Sequence, residues 1–183
     1  MRLRPAIPWL LTVVVTATLL LGVYLYAGYR ETWAPDITFS ITDGRRIKLE
    51  DLRGRPVLVQ FWATSCPTCR KEMPPLAALY NDMHDKGLEL IAVAMPYDPP
   101  NRVLEMTREK QFPYPVALDI KGEAMVAFGD ISLTPTTLLI GPDGRILRRQ
   151  LGEMNFDKLR QQIKALLPKK QLAASGVQLV ASG

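Results

Sequence analysis

The chain carries two cysteines, and both lie in the sequence C-P-T-C at residues 66–69. The run before them, residues 57–63, is apolar and contains β-branched and aromatic residues, which predicts a buried strand. After Pro75, apolar residues recur at the spacing of one helix face, at Leu76, Leu79, Tyr80 and Met83. This pattern predicts a helix that continues to about residue 86. The cysteine pair therefore lies where a strand gives way to a helix.

Cys66 is placed at the start of this helix. There the first backbone N–H groups lack partners within the helix, and the helix dipole contributes roughly half a positive charge. A thiolate is stabilised at such a position, so we expect the pKa of Cys66 to lie below the usual value of about 8.5. Cys69 follows one turn later on the same side, which lets the two sulfurs close into a disulfide or reopen by thiolate attack. Pro67 fits the first turn, whose N–H groups are unpaired in any case.

Two structural roles compete with a redox role for the cysteine pair. A structural zinc site takes about four ligands, whereas the chain offers two cysteines and one histidine, His84. A structural disulfide across so short a loop restricts the unfolded chain only weakly. The pattern therefore favours a redox-active dithiol with no metal and no other cofactor. We interpret His84, near the predicted end of the helix, as a surface residue rather than a catalytic one.

The N-terminal part of the chain is apolar over residues 7–27, with no charged residue. At about 1.5 Å per residue, a helix of this length spans about 30 Å, the core of a bilayer. Aromatic residues of the kind found at membrane interfaces lie near its two ends, at Trp9, Tyr24, Tyr26, Tyr29 and Trp33. These features predict a transmembrane anchor over residues 7–29. A cleaved signal peptide is the alternative, although the run exceeds the usual ~7–15 residues and lacks a clear small-residue cleavage site.

The flanking charges predict the orientation of this anchor. Arg2 and Arg4 precede it, whereas Arg30 after it is offset by Glu31. Positive residues stay on the cytoplasmic side of a span, so residues 1–6 are expected in the cytoplasm. The rest of the chain would then lie in the periplasm or its equivalent, held at the inner membrane. Dithiol and disulfide chemistry is most used in that compartment.

One domain is predicted after the anchor, over residues 37–167, behind a linker at residues 30–36. Residues 168–183 contain Ala, Ser and Gly and are predicted to form a loose tail. The formal net charge is +5, and residues 141–183 carry the basic excess. A basic face of this kind is usually solvated, with contact to anionic lipid or an acidic partner as the alternative. No groove of basic and aromatic residues is indicated, so no nucleic-acid partner is predicted.

Strands and helices alternate along the predicted domain. Asp-Gly pairs between extended segments predict two hairpins, over residues 37–49 and 134–150. Further strands are predicted over residues 88–95 and 116–118, and helices over residues 101–111, 122–128 and 156–167. Asn101 and Asn155 are expected to cap the first and last of these helices. Val103, Leu104 and Met106 are expected to face the core. This order predicts the α/β class, with a sheet flanked by helices on both faces.

Two motifs together resemble a known family. The first is W-A-T-S-C-P-T-C at residues 62–69, and the second is T-P-T at residues 134–136. Over about residues 35–167 the chain resembles membrane-anchored thioredoxin-fold thiol–disulfide reductases of the TlpA and ResA kind, including those of cytochrome c maturation. The resemblance implies a thioredoxin fold, with a central mixed sheet, an N-terminal β-hairpin and a central insertion over residues 96–118. A lone C-x-x-C would not be specific, but the two motifs at this separation are.

The resemblance also implies roles for individual residues. Cys66 is the implied nucleophile, and Cys69 is the thiol that resolves the mixed disulfide. Residues implied to contact the substrate are Trp62, Pro67, Thr134 and Pro135. Among these, Pro135 is expected to follow a cis peptide bond and to face the dithiol, although only about 5–6% of X–Pro bonds are cis in general. Thr134 is expected to offer backbone groups to a substrate strand.

The proton acceptor is expected at a different position from that of thioredoxin. Gln60 matches the position at which thioredoxin has a buried acid, and a buried amide would need hydrogen-bond partners. The anchored reductases use an acid one turn after the second cysteine instead, which Glu72 matches. Glu72 is three residues past Cys69 on the same helix side, where a carboxyl can carry a thiol proton and desolvation would raise its pKa. The alternative is an ordinary surface charge.

These observations predict a single-pass anchored reductase of protein disulfides, which a further membrane dithiol carrier re-reduces. The resemblance suggests apocytochrome c as a substrate, with a metal-stress or cell-envelope client as alternatives. A thiol peroxidase on the same fold is a second candidate, although the usual proline and threonine upstream of the peroxidatic cysteine are missing. A non-enzymatic copper-delivery protein is a third, although such proteins use a wider C-x-x-x-C and a later histidine.

Overall fold

The computed structural model of the protein describes residues 7–168, with side chains at position 9 and over residues 11–26 and 33–168. The predicted cytoplasmic residues 1–6 and residues 169–183 of the predicted tail lie outside the described residues. The chain divides into two units, Met1–Trp33 and Ala34–Gly183.

The described part of the first unit is one helix, α1 (Ile7–Thr32). Large apolar side chains along it are exposed, among them Trp9, Leu20 and Tyr24. When only the fully described residues are counted, no helix is both long and apolar enough to cross a membrane. The anchor over residues 7–29 and the linker over residues 30–36 stay predictions.

The second unit begins with a small antiparallel hairpin of β1 (Thr38–Ser40) and β2 (Arg46–Lys48), followed by a short 3-10 helix, Leu49–Leu52. The main sheet has five strands, which are β3 (Val57–Trp62), β4 (Glu89–Ala94), β5 (Val116–Leu118), β6 (Thr136–Ile140) and β7 (Ile146–Leu151). Their order is β5-β4-β3-β6-β7. The first three strands of this order are parallel, and β6 is antiparallel to both of its neighbours. The predicted mixed sheet and both predicted hairpins are confirmed.

Up to residue 168, this unit also contains four α-helices, namely α2 (Pro67–Met83), α3 (Pro100–Lys110), α4 (Glu123–Ala127) and α5 (Phe156–Leu166). α2 is continuous through Pro74 and Pro75, so the cysteine turn and the apolar face after it belong to one helix. Every residue of β3 is buried. A strand covered on both faces needs apolar residues on both, which is why β3 reads as an unbroken apolar run.

Alternate residues of β3 point into two separate cores. We call one side of the sheet the α2 face, which carries Leu58, Gln60 and Trp62, and the other the α4 face, which carries Val57, Val59 and Phe61. The core on the α2 face includes Leu76 and Leu79 of α2 and Leu159 and Ile163 of α5. The core on the α4 face joins the hairpin to the segment around α4 through Phe39, Ala124 and Phe128. β3 is thus the central strand of the domain.

Some predicted boundaries and caps differ from the structure. α2 ends at Met83 rather than near residue 86, and the following residues form turns. The prediction that Asn101 caps α3 is wrong, because the N-cap is Pro99 and Asn101 lies inside the helix. A proline at the first helical position needs no N–H partner, so the helix can begin there. Asn155 does cap α5, and its side chain accepts a hydrogen bond from the Lys158 amide at 2.9 Å.

The predicted inner face of α3 is only partly confirmed. Val103 is fully buried and Met106 is half-buried against the core of the α2 face, but Leu104 is 37% exposed. Leu104 was therefore wrongly assigned to the core. Two adjacent residues of a helix lie about 100° apart around its axis, so one narrow contact with the sheet cannot bury both.

Candidate active site

The cysteine pair lies at the junction of β3 and α2, as predicted. Cys66 is the N-cap of α2, with extended backbone angles (φ −85°, ψ 112°), and Pro67 is the first helical residue. Cys66 and Cys69 form a disulfide, and their Cα atoms are 5.3 Å apart. The Cys66 sulfur also accepts a hydrogen bond from the Cys69 amide at 3.2 Å. This amide is one of the unpaired donors of the helix start, so it is in place to stabilise a thiolate on Cys66.

The two sulfur-bearing residues differ in exposure. Cys66 is half-buried and packs against the core of the α2 face, whereas Cys69 is 1% exposed and belongs to that core. Pro67, between them, is exposed. A protein substrate can therefore reach the sulfur of Cys66 but not that of Cys69. This asymmetry fits Cys66 as the attacking residue and Cys69 as the resolving one.

Glu72 is buried, with an exposed fraction of 3%, so the alternative of an ordinary surface charge is wrong. Its Oε1 accepts a hydrogen bond from the Met154 amide at 2.5 Å, and its Oε2 accepts one from the Gln60 side chain at 3.0 Å. Desolvation raises the pKa of Glu72, and the hydrogen bond from Met154 opposes this rise. Gln60 thus has the partner that a buried amide requires. Glu72 lies one helical turn after Cys69, which is also buried.

Trp62 is the last residue of β3 and is 2% exposed. It packs in the same core as Cys69, and its ring meets the edge of Phe112 with centroids 6.1 Å apart. Phe112 belongs to the predicted central insertion, which therefore contacts the strand that leads to the dithiol. Trp62 Nε1 is buried without a hydrogen-bond partner among the described residues. Trp62 is therefore a core residue that packs with Cys69. Its contact with substrate stays a prediction.

The peptide bond between Thr134 and Pro135 is cis, as the resemblance implied. β6 begins directly after this bond, and its Thr136 pairs with Phe61 of β3. Continuing the antiparallel register by one residue sets Pro135 beside Trp62, at the end of the sheet where α2 begins. The Pro135 carbonyl accepts a hydrogen bond from the Gly152 amide at 2.9 Å. The two sequence motifs thus meet at one end of the sheet.

Sequence reasoning missed two residues at this end of the sheet. Asp98, 5% exposed, accepts hydrogen bonds from the amide and the hydroxyl of Thr64, two residues before Cys66. The Tyr97 hydroxyl lies 3.4 Å from Thr134 Oγ1, beside the cis peptide bond. The proline-rich run over residues 96–100 had indicated only that a strand stops there. No periodicity marks a single carboxylate within such a turn, because its partner is distant in sequence.

His84 lies at the opposite end of α2 from the cysteines, as the C-cap of the helix. It is exposed, its ring stacks on Tyr80 with centroids 4.5 Å apart, and its Nδ1 is 3.1 Å from the Leu88 carbonyl oxygen. This placement confirms a surface residue that is remote from the dithiol. Among the described residues, no three His, Cys, Asp or Glu side chains are grouped so that they could hold a metal ion.

The comparisons with known proteins agree with this geometry. The sequence model of the Redoxin family matches residues 30–164. Thiol-disulfide oxidoreductase ResA of Bacillus thuringiensis subsp. konkukian is 33% identical over 135 residues, which cover 74% of this chain and 77% of that protein. ResA of Bacillus subtilis is 32% identical and is covered to 74%. A crystal structure assigned as the thiol:disulfide interchange protein DsbE of Chlorobium tepidum has a TM-score of 0.67 at 30% identity, covering 75% of this chain and 96% of that one.

A thioredoxin-fold sheet, a C-x-x-C at the start of a helix and a cis-proline beside it define a class of enzymes, the thiol–disulfide oxidoreductases. The relatives found in sequence and structure are of the same class. The chain belongs to the Redoxin family and, within it, to the oxidoreductases of the ResA type.

Proposed function

We propose that the protein is a reductant of protein disulfides that works outside the cytoplasm from a membrane-anchored position. The observation that carries the proposal is the asymmetry of the site. Cys66 is half-buried at the start of α2, whereas Cys69 and Glu72 are buried one after the other along the same helix. In such a site, the accessible Cys66 can attack a substrate disulfide, and the buried Cys69 can then release the substrate by attacking Cys66.

In the first step, the thiolate of reduced Cys66 attacks one sulfur of a substrate disulfide. A mixed disulfide forms between Cys66 and that sulfur, and the other substrate sulfur leaves as a thiolate. The helix start lowers the free energy of the attacking thiolate, because the Cys69 amide already donates to the Cys66 sulfur. The expected low pKa of Cys66 keeps this thiolate available near neutral pH.

In the second step, the thiol of Cys69 loses its proton and attacks Cys66. The mixed disulfide breaks, and the substrate sulfur that was bonded to Cys66 leaves as a thiolate. The Cys66–Cys69 disulfide remains. Cys69 is buried and cannot pass its proton directly to bulk solvent. Glu72 is the buried carboxylate on the same helix side, and its raised pKa brings it closer to that of a thiol, so we assign the proton to it.

Substrate binding is proposed at the end of the sheet that carries the cis-proline. The cis bond at Pro135 leaves the backbone of Thr134 beside the dithiol end of β3, where an extended substrate segment can pair with it. Pro67 is exposed next to Cys66 and is the natural contact for the residues that flank the substrate cysteine. Apocytochrome c as the particular substrate stays a prediction from the resemblance.

The site of action is proposed from the sequence of the first unit. The uncharged run over residues 7–27 has the length of a bilayer core, and the basic residues precede it. With that orientation the dithiol lies outside the cytoplasm. A reductant there is oxidised at every turnover, so it needs an upstream dithiol donor in the membrane.

Substitution of Cys69 tests the function directly. In Cys69→Ser, the first step proceeds and the second cannot, so substrates should stay attached through Cys66 as adducts that a reducing agent releases. The matched control is Cys66→Ser/Cys69→Ser, which should trap none. No adduct with the single variant would contradict the proposal.

The direction of the reaction follows from the reduction potential of the Cys66–Cys69 pair, measured against a glutathione buffer. A reductant should lie near the thioredoxin value of about −270 mV rather than near the value of about −120 mV of a strong oxidant. A value close to the latter would make the protein a disulfide donor.

Cell fractionation tests the anchor. The full chain should sediment with membranes and be cut by protease added to the outer side of the inner membrane, whereas a chain without residues 1–29 should remain soluble. A mature protein that begins after residue 29 would instead identify a cleaved signal peptide.

A further inference from the structure

A buried carboxylate outside the dithiol motif is tied to the turn that carries the nucleophile. Asp98 follows β4 and is 5% exposed. Its Oδ2 accepts a hydrogen bond from the Thr64 amide at 2.5 Å, and its Oδ1 accepts one from the Thr64 hydroxyl at 2.6 Å. Thr64 is itself 8% exposed. Both oxygens of one buried carboxylate are thus engaged by a single residue.

Thr64 lies in the turn between the last residue of β3 and the first of α2. The Cys66 amide donates to the Ala63 carbonyl at 3.1 Å, which closes a turn with Thr64 and Ser65 in the middle. In such a turn the N–H of the second residue has no backbone partner within the turn itself. Asp98 supplies that partner. The carboxylate of Asp98 therefore accepts the hydrogen bond of the free Thr64 amide, where the chain turns toward Cys66.

The segment that carries Asp98 is fixed to the same strand end. The Met95 amide donates to the Trp62 carbonyl at 3.0 Å, and the Asp98 amide donates to the Met95 carbonyl at 2.9 Å. The backbone that carries Asp98 is therefore hydrogen-bonded, through Met95, to the end of β3. Movement of the turn relative to β3 would break both hydrogen bonds to Thr64 at once.

We propose that Asp98 is a positioning residue of the thiol–disulfide reaction, which holds the Thr64 turn so that the Cys66 sulfur stays on the first amides of α2. Asp98 does not contact the reacting sulfurs in this role and acts through Thr64. The hydrogen bonds, rather than the negative charge of the carboxylate, carry the effect. The proposal rests on thiol–disulfide activity but not on the direction of electron flow.

Asp98→Asn and Asp98→Ala separate the hydrogen bonds from the charge. An asparagine can accept from the Thr64 amide with Oδ1 and donate to the Thr64 hydroxyl with Nδ2, since a hydroxyl can act as donor or acceptor. It therefore keeps both bonds without the charge, whereas alanine keeps neither. The readout is the rate at which iodoacetamide alkylates Cys66 in the reduced full-length protein, measured across pH with the modified cysteine located by mass spectrometry.

Asp98→Ala should shift the alkylation profile of Cys66 to higher pH by about half to one unit, which lowers the rate on its rising limb about 3- to 10-fold. Asp98→Asn should stay within about twofold of the wild type, because its hydrogen bonds persist. An unshifted profile in Asp98→Ala would overturn the proposal. So would a shift in Asp98→Asn as large as that in Asp98→Ala, because the charge would then carry the effect.

The chain contains a matched control for general loss of stability. Asp119 is also a buried aspartate, 8% exposed, and it accepts from the amides of Ala124 and Met125 at 3.0 and 2.8 Å. It anchors the start of α4, whose Ala124 packs in the core of the α4 face rather than in that of the α2 face. Asp119→Ala should lower the unfolding temperature and leave the alkylation profile unchanged. An equal shift in this control would show that any buried anchor has the same effect, and the proposal would fail.

A second pair of variants tests the same contact from the other side, in case Asp98→Ala does not fold. Thr64→Val keeps the β-branched shape and the hydrogen bond from the backbone amide, but it loses the hydrogen bond from the hydroxyl to Asp98 Oδ1. Thr64→Ser keeps both hydrogen bonds. The profile should shift in Thr64→Val and return in Thr64→Ser. Identical profiles in the two variants would overturn the proposal. Alkylation needs no substrate, so this result is independent of the trapping experiment with Cys69→Ser.

Discussion

The two faces of the central sheet are both buried, yet they differ in what they bury. On the α4 face, the residues of β3 meet an aromatic cluster in which Phe128 lies 5.6 Å from Phe61 and 6.5 Å from Phe39, measured between ring centroids. On the α2 face, the same strand contributes Gln60, which donates to the buried carboxylate of Glu72. One face is apolar around β3, whereas the other holds a polar network in its core.

The α2 face also holds polar atoms without partners. Among the described residues, Trp62 Nε1 and Thr137 Oγ1 are buried and make no hydrogen bond. Thr137 pairs with Gln60 across the sheet and therefore lies on the same face. Burial of an unpaired polar group lowers the free energy of unfolding. An apolar side chain in the same place would not have this cost. These two groups are therefore expected to lower the stability of the face that carries the dithiol.

The largest expected effect is on the α4 face. Phe128→Ala removes the ring that joins the hairpin to β3, and should lower the free energy of unfolding by about 3–5 kcal/mol. Chemical denaturation measures this loss. Under conditions in which the variant stays folded, the alkylation rate of Cys66 should not change. A changed rate would break the separation between the two faces.

The next effect in size is on the α2 face. Glu72→Gln removes the proposed proton acceptor while keeping a side chain that can bond to Gln60 and to the Met154 amide. We expect resolution of the mixed disulfide to slow about a hundredfold, or about 2.7 kcal/mol in activation free energy. Rapid-mixing experiments should show the mixed disulfide accumulating, with the initial attack by Cys66 unchanged. Equal slowing of both steps would point to a structural role.

The same variant has a predicted pH signature in stability. Because the pKa of Glu72 is raised in the folded state, the folded protein holds this proton more tightly than the unfolded chain does. The wild type therefore loses stability as pH rises from the unfolded pKa through the folded pKa, and Glu72→Gln does not. The difference in unfolding free energy between the two proteins should grow in favour of the variant over that range. A difference that is flat with pH would contradict a raised pKa.

The smallest effect compares two neighbouring threonines on opposite faces. Thr137→Val removes a buried hydroxyl that bonds to none of the described residues, and should raise the free energy of unfolding by about 1 kcal/mol. Thr136→Val removes a hydroxyl that donates to the Leu133 carbonyl at 2.7 Å, and should lower it by about 1 kcal/mol. Thermal or chemical unfolding distinguishes the two signs. If both variants lose stability, Thr137 Oγ1 has a partner in solution.

Much of the fold could be predicted from the sequence because its signals are local. The apolar run of β3, the turns at Asp43-Gly44 and Asp143-Gly144, and the cap at Asn155 each depend on residues within a few positions of one another. The cap predicted at Asn101 failed for the same kind of reason. A capping residue was available, but the prolines before it offered an earlier helix start.

The candidate site also combines features that local sequence fixes with features that depend on distant segments. Cys66 and Cys69 are placed by one strand-to-helix junction, so their spacing and the position of Cys66 at the helix start follow from the sequence, whereas the burial of Cys69 comes from the packing of α2. The acid at Glu72 could be proposed from the family resemblance, with which its spacing from Cys69 agrees, but its hydrogen bond from the Met154 amide joins segments that are distant along the chain. Asp98 could not be found from sequence, because its contact with Thr64 joins two separate turns.

The sequence by itself determined the position of Cys66 at the helix start, because that helix start is built from consecutive residues. Only the tertiary structure decided which acidic side chains are buried in the site. The packing of α2 against the sheet removes Glu72 from water, and the approach of the segment after β4 engages both oxygens of Asp98. A carboxylate changes from a surface charge to a functional group when distant segments exclude its solvent, and no local pattern encodes that exclusion.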